Sequence, residues 1–199
     1  MKNKLLLLIL SVTLLLLVAS CDKKESRLAD YLLELATVAK TEASTTMVLD
    51  NGTILTPNNA SKWDVADGAR VILNYTPLED GFININSMQR ILLATIEEEG
   101  YPTKRETSPI KIVSVWVSGH YLNMSFYVDY HSKPHAVALY RDMQADKPTL
   151  FFSYSKADDP AGAPTLTYLS FDIESLQKQA FNIYINTYDG ERKFEFKVK

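Results

Sequence analysis

Tyr121-Leu122-Asn123-Met124-Ser125-Phe126-Tyr127-Val128-Asp129-Tyr130 is the stretch from which the fold class can be read. Leu122, Met124, Phe126, Val128 and Tyr130 occupy every second position. Successive side chains of an extended strand point to opposite faces, so this period of two describes a strand with one apolar face. The same pattern recurs downstream. Phe181, Ile183 and Ile185 alternate with Asn182, Tyr184 and Asn186; Asp189-Gly190 turns the chain; Phe194, Phe196 and Val198 then alternate with charged residues. That is a hairpin with one buried and one wet face. Thr167, Leu169, Phe171 and Ile173 form a further strand. Repeated alternating strands with turns between them predict two antiparallel sheets packed face to face.

Upstream the pattern is also mostly extended. Thr46 to Leu49 and Thr53 to Thr56 flank Asp50-Asn51-Gly52, a composition that favours a hairpin turn. Val71 to Tyr75 and Phe82 to Ile85 flank a polar segment ending in Asp80-Gly81, and Arg90 to Ile96 is another apolar run. Leu28 to Lys40 is ambiguous. Leu28, Leu32 and Leu35 stand four and three apart, and local propensity by itself predicts a helix.

Between the halves lies Tyr101-Pro102-Thr103-Lys104-Arg105-Glu106-Thr107-Ser108-Pro109, whose two prolines disfavour an interior helix or a central strand. Charge changes there too. Residues 22–107 carry 9 basic and 14 acidic side chains, and residues 108–199 carry 10 of each. These features place a predicted junction between domains 31–107 and 108–199.

The first residues carry an address. Met1-Lys2-Asn3-Lys4 is positive, Leu5 to Leu17 is an apolar core, and Val18-Ala19-Ser20 leads with small residues to Cys21. The apolar stretch, about 15 residues, is shorter than the roughly 20 that span a bilayer, so residues 1–20 read as a secretory signal. Val-Ala-Ser-Cys resembles a bacterial lipobox, in which Cys21 is acylated and becomes the new N-terminus. A noncleaved anchor helix with an incidental cysteine is the alternative. Cys21 is the one cysteine of the 199 residues. Acylation would consume a thiol that is otherwise odd in an exported protein, and would leave no disulfide to staple the fold. Several acyl chains give stable anchoring where one is marginal. Residues 21–30 would form the lipidated tether.

Composition narrows the function. Without residues 1–20 the chain keeps 19 Lys+Arg against 24 Asp+Glu. Such an acidic chain does not suit a general nucleic-acid binder. Eleven Tyr and 8 Phe make it too aromatic for a disordered one.

Most of the usual catalytic constellations fail in this sequence. His131 and His135 are four apart, but Pro134 between them argues against a helix, and on a strand they would stand about 13 Å apart. No zinc site is expected; His135 reads as a strand residue and His131 as a loop residue. The spacing of the seven glycines excludes the nucleophile elbow and the Gly-rich dinucleotide fingerprint. Among carboxylates, Glu97-Glu98-Glu99 and Asp158-Asp159 read as solvated loops rather than a tuned acid/base pair. No catalytic residue, metal or cofactor is nominated. Tyr121, Tyr127 and Tyr184 are expected on the wet faces of their strands, where cross-strand packing is favoured over a role in stacking on sugars or anchoring a partner. Trp63, in polar Ser61-Lys62-Trp63-Asp64, belongs to the same set.

These residues resemble the NigD-like lipoproteins. The resemblance rests on Tyr31 to Val38, Leu49 to Pro57 with its Asp50-Asn51-Gly52 turn, and Asp67-Gly68-Ala69-Arg70-Val71-Ile72-Leu73-Asn74-Tyr75. In the second half it rests on Ser108-Pro109-Ile110, Trp116, Tyr121 to Met124, Lys133-Pro134-His135 and Phe171 to Leu176. It runs from about residue 31 to the end, and its motifs are mostly turns and core positions. The resemblance implies an all-β chain, an N-terminal OB-like small barrel followed by a C-terminal antiparallel β-sandwich. It makes the segment from Tyr31 the opening barrel strand, against its local helical pattern. It also implies an exported lipoprotein with no known catalytic residues and a proposed immunity role.

The expectation is therefore a noncatalytic binding module at the cell envelope, anchored in the outer membrane through Cys21. Its partner would be a protein or a neutral glycan, and not nucleic acid. A glycan hydrolase using paired carboxylates and a structural subunit of a membrane-associated complex are the competing readings.

Overall fold

The computed structural model describes residues 31–198. The expected signal peptide, Cys21 and the expected tether lie outside the described residues. The described chain forms two sheets. The first is a closed barrel of β1 (Leu32–Lys40), β2 (Thr45–Leu49), β3 (Ile54–Pro57), β4 (Arg70–Pro77) and β5 (Phe82–Arg90), in the order β1-β2-β3-β5-β4. Ala36, Val38, Met47, Val71, Leu73 and Ile83 fill it, and Trp63 packs half-buried against this core.

β1 is the element whose local pattern and fold disagree. It pairs with β4 from Leu32↔Tyr75 to Thr37↔Arg70 and with β2 from Ala36↔Leu49 to Lys40↔Thr45. Two ladders satisfy its backbone while Ala36 and Val38 enter the core, and this outweighs a helical propensity worth tenths of a kcal/mol per residue. The Tyr75 hydroxyl donates to Glu34 Oε2 at 2.7 Å, closing the open end of the strand.

The second sheet contains β6 (Leu92–Glu97), β7 (Lys111–Ser118), β8 (Tyr121–Tyr130), β9 (Ala136–Arg141), β10 (Thr149–Ser155), β11 (Ala163–Asp172), β12 (Ala180–Thr187) and β13 (Gly190–Lys197). Their order is β13-β12-β10-β9-β6-β11-β8-β7. Its two halves face one another across a single core, with Phe126 of β8 edge-on to Phe152 of β10 at 5.7 Å and Phe152 edge-on to Phe171 of β11 at 6.2 Å. This is the expected sandwich. Within it β6 pairs in parallel with β11 on one side and β9 on the other, and β10 pairs in parallel with β12.

The chain leaves the barrel at Ile91, not at the predicted 107/108 junction. Leu92 to Glu97 is a strand of the sandwich. The proline-containing segment after it is a loop inside the second domain. Tyr154 N donates to the Glu106 carbonyl at 3.1 Å, Ser108 N donates to the Tyr154 carbonyl at 3.0 Å, and the Tyr101 ring stacks on Phe151 at 4.2 Å. The prolines mark a crossover along β10, and the domain boundary carries no turn composition because β5 and β6 are separated by Ile91 alone. The barrel keeps its acidic balance with the shorter boundary: residues 31–91 hold four basic and seven acidic side chains.

Candidate functional site

Two buried polar clusters organise the described chain. The first joins barrel to sandwich. Arg70 opens β4 with its side chain fully buried. Its Nε donates to Ser170 Oγ at 3.2 Å, Nη1 to Thr37 Oγ1 at 3.3 Å, and Nη2 to Asp50 Oδ2 at 2.8 Å and Asn123 Oδ1 at 3.2 Å. Nη1 also stands 2.5 Å from Asp50 Oδ1 as an ion pair. Below the guanidinium, 3.9 Å away, lies the Tyr121 ring, whose hydroxyl shares a 3.2 Å hydrogen bond with Thr37. Thr37, Asp50 and Arg70 belong to the barrel; Tyr121, Asn123 and Ser170 belong to the outer face of β8 and β11. A buried charge needs such a complete set of partners.

Tyr121 is thus not a wet-face residue. The barrel covers that side of β8, and Tyr121 is 8% exposed. Tyr127 and Tyr184 are half-buried, the latter stacked at 5.0 Å on its cross-strand neighbour Phe151.

The second cluster stiffens one wall of an open cleft of about 420 Å³ at an end of the sandwich. Asp159 anchors it. Oδ2 accepts from His131 N at 2.8 Å and lies 3.1 Å from His135 Nε2, while Oδ1 accepts from Ser132 N at 3.0 Å and Lys133 N at 2.9 Å. Burial alone would raise its pKa, but these donors outweigh burial and hold the carboxyl well below the usual carboxylate range. The expected solvated Asp158-Asp159 pair is therefore divided. Asp158 is exposed and ion-paired with Lys133, whereas Asp159 is 3% exposed. Glu97, Glu98 and Glu99 are exposed as expected, but Glu97 ends β6, paired with Tyr140, and is not a loop residue.

His135 precedes β9 rather than lying within a strand, and its ring bridges Asp159 and Tyr154. With Nε2–H directed at Asp159, the imidazole offers Nδ1 as an acceptor, to which the Tyr154 hydroxyl donates across 2.6 Å. Burial first, and then Tyr188, Asp129 and Asp159, push the Tyr154 hydroxyl up to about 12. His131 is a loop residue, as expected, and its imidazole shares a 2.9 Å hydrogen bond with the Ser132 hydroxyl. Among the described residues no cluster of His, Cys, Asp or Glu has the makings of a metal site.

Tyr154, His135 and Asp159 stand in the hydroxyl–imidazole–carboxylate order of a catalytic triad, but with a phenol where a triad has its nucleophile. A triad lowers the barrier to ionising a nucleophile. Here burial raises the Tyr154 hydroxyl instead of easing its ionisation, and Asp159 also accepts from three backbone N–H groups. What the row provides is a fixed wall. Tyr130 packs edge-on against His135 at 5.5 Å. Val128, Val137 and Leu169 make the cleft apolar, Thr165 and Thr167 line it with hydroxyls, and Arg90 stands at its mouth.

The family models match the chain in the order of this architecture. The NigD-like N-terminal OB domain matches residues 35–91 and the NigD-like C-terminal beta sandwich domain matches residues 93–198. The chain belongs to the NigD-like family. The boundary between the two matches coincides with Ile91 and Leu92, where the barrel ends and β6 begins. A NigD-like immunity protein from Bacteroides caccae shares the fold, with TM-score 0.65 and 23% identity over 84% of this chain and 97% of that one. A candidate toxin-related protein from Parabacteroides distasonis aligns with TM-score 0.75 and 24% identity over 85% of this chain and 94% of its own. A candidate lipoprotein from Bacteroides fragilis aligns with TM-score 0.65 and 14% identity over 85% and 98%. At these identities the likeness is one of fold. No curated protein matches the chain.

Several sequence motifs of the NigD-like resemblance meet in the Arg70 cluster. Asp50 comes from the Asp50-Asn51-Gly52 turn, Arg70 from Asp67-Gly68-Ala69-Arg70-Val71, and Tyr121 and Asn123 from the opening of β8. Lys133-Pro134-His135 belongs to the Asp159 cluster. Sequence reasoning passed over Asp159 and Arg70 as sites. An isolated arginine directly before an apolar run was the available signal for Arg70; Asp159 offered none.

Proposed function

We propose that this NigD-like chain is a noncatalytic binding protein of the cell envelope, with the sandwich cleft as its ligand site. Cys21 carries the acyl groups that hold it at the outer membrane, and the binding serves an immunity-type role. The observation that carries this reading is the cleft itself. It is preformed and mostly apolar, with a few fixed polar groups on its wall, as small binding sites generally are, and the best-placed hydroxyl is held protonated. The name of the Bacteroides fragilis neighbour supports the lipoprotein part, and that of the Bacteroides caccae neighbour the immunity part.

Two measurements test the reading. Intact-mass spectrometry of protein from native membranes should give a chain beginning at Cys21 with added acyl mass, and Cys21→Ala protein should leave washed membranes without unfolding. A chain beginning at Met1 would remove the anchor. A photo-crosslinking residue at Leu166, on the rim of the cleft, should capture a partner in intact cells, and filling the cleft with Thr167→Trp should abolish that capture. Capture unaffected by the filled cleft would place the ligand elsewhere.

A further inference from the structure

β6 is too short for the strand beside it. It pairs with β11 only from Leu92↔Leu169 to Thr95↔Asp172, whereas β11 begins at Ala163 and pairs with β8 along its full length. From Ala163 to Tyr168, β11 is therefore bonded on one side only among the described residues, and no other backbone hydrogen bond reaches this segment. Along such an edge every second residue directs its N–H and C=O outward in the plane of the sheet. The edge borders the cleft, which Thr165 to Leu169 line.

The sequence of β11 explains why the cleft is unfilled. Thr165 and Thr167 share the inward register of Leu169 and Phe171, yet Thr165 is exposed and Thr167 half-exposed, while Leu169 and Phe171 are buried. Where β6 stops, the inward positions of β11 turn from large apolar residues to threonines. At that same point stands Arg90, exposed, with no ion pair or side-chain hydrogen bond among the described residues.

We infer that the cleft accepts an extended C-terminal peptide of another protein as an added strand along Ala163–Tyr168, with its terminal carboxylate beside Arg90. A chain in line with β6 runs parallel to β11, so its C-terminal end points at Leu92, where the unpaired guanidinium stands. Six residues would cover about 20 Å of edge, with alternate side chains entering the cleft. Pro164 has no N–H and the Ala163 carbonyl accepts from Thr165 Oγ1, so the ladder would form along Thr165–Tyr168, whose donors and acceptors a glycan or an acyl chain would leave without matched partners. This inference rests on the reading of the chain as a binding module and names the class of its ligand.

The test is a library of hexapeptides with free C-termini, screened against the full chain purified in detergent, followed by deuterium exchange of the complex. Binders should slow exchange within Ala163–Tyr168. Amidating their C-terminus, or introducing Arg90→Gln, should weaken binding by about tenfold. N-methylation of alternate peptide amides should abolish it, because the ladder loses its donors. A library without binders, or binders that tolerate N-methylation, would overturn strand addition. If the Leu166 crosslink still captures a partner in cells, the binding module stands and only its strand-like ligand falls. If both fail, the module falls as well.

Discussion

Asp159 holds its turn by accepting four hydrogen bonds, and this fixes how the protein responds to acid. A carboxyl whose folded pKa lies below its unfolded value contributes stability above the unfolded pKa, near pH 4, and that contribution disappears as pH falls through the folded value. In urea unfolding followed from pH 7 to pH 2, Asp159→Asn should be less stable than the parent at pH 7, and the difference should shrink below pH 4. A gap that is constant with pH would show that the charge is not what matters. Tyr154 gives the mirror case. Its hydroxyl is raised to about 12, so its contribution should be full below pH 10 and fade between pH 10 and pH 12; Tyr154→Phe should flatten that alkaline limb. Arg70 tests the other cluster. Arg70→Met leaves Asp50 buried without its cation, and chemical denaturation should register a loss of about 3–5 kcal/mol. Replacing both, as Arg70→Met with Asp50→Leu, should recover part of it. In the sequence Arg70 shows only as a lone arginine before an apolar run, and Asp159 does not show at all. A carboxylate that caps backbone N–H groups more than twenty residues away leaves no periodic mark, and Asp159 looks the same in the chain as its solvated neighbour Asp158.

At the level of strands the sequence was far more explicit, because burial of one face imposes a period of two. β8 spans the alternating stretch Tyr121–Tyr130, the Asp50-Asn51-Gly52 turn falls between β2 and β3, and Asp189 turns the chain into β13, which Gly190 opens. What periodicity could not convey was a second buried face. Asn123 and Ser125 looked like the wet side of β8, yet the barrel or neighbouring strands cover them. β1 was legible only through its resemblance to NigD-like chains, since leucines four and three apart satisfy a helix as well. Gly119, in the β7–β8 turn, lies close against the Asp50 turn of the barrel. Its φ is +58°, and a Cβ there would lie 2.6 Å from the Asp50 carbonyl oxygen. Gly119→Ala should therefore destabilise by about 2 kcal/mol, from a left-handed backbone as well as a clash with a main-chain atom, and should be visible as a lower Tm. Phe152→Ala, in the centre of the sandwich core, should lose about 3–5 kcal/mol in equilibrium unfolding.

Considered as a whole, the described chain has two cores but one cooperative interface. The clusters of apolar residues are separate, one per sheet, whereas the Arg70 cluster draws its members from both. Heat or urea should accordingly unfold barrel and sandwich in a single transition, with the fluorescence of Trp63 in the barrel domain and Trp116 in β7 changing together. Two resolved transitions would contradict it. Separated from its neighbour, the sandwich would expose Tyr121, Asn123 and Ser170, and the barrel would keep an arginine and an aspartate shaped to a surface no longer present. Neither half is then a cassette that gene fusion or recombination could move alone. Lineages that exchange one domain must import the matching contact residues of the other, so inheritance of the two halves should be coupled even where their ligands diverge.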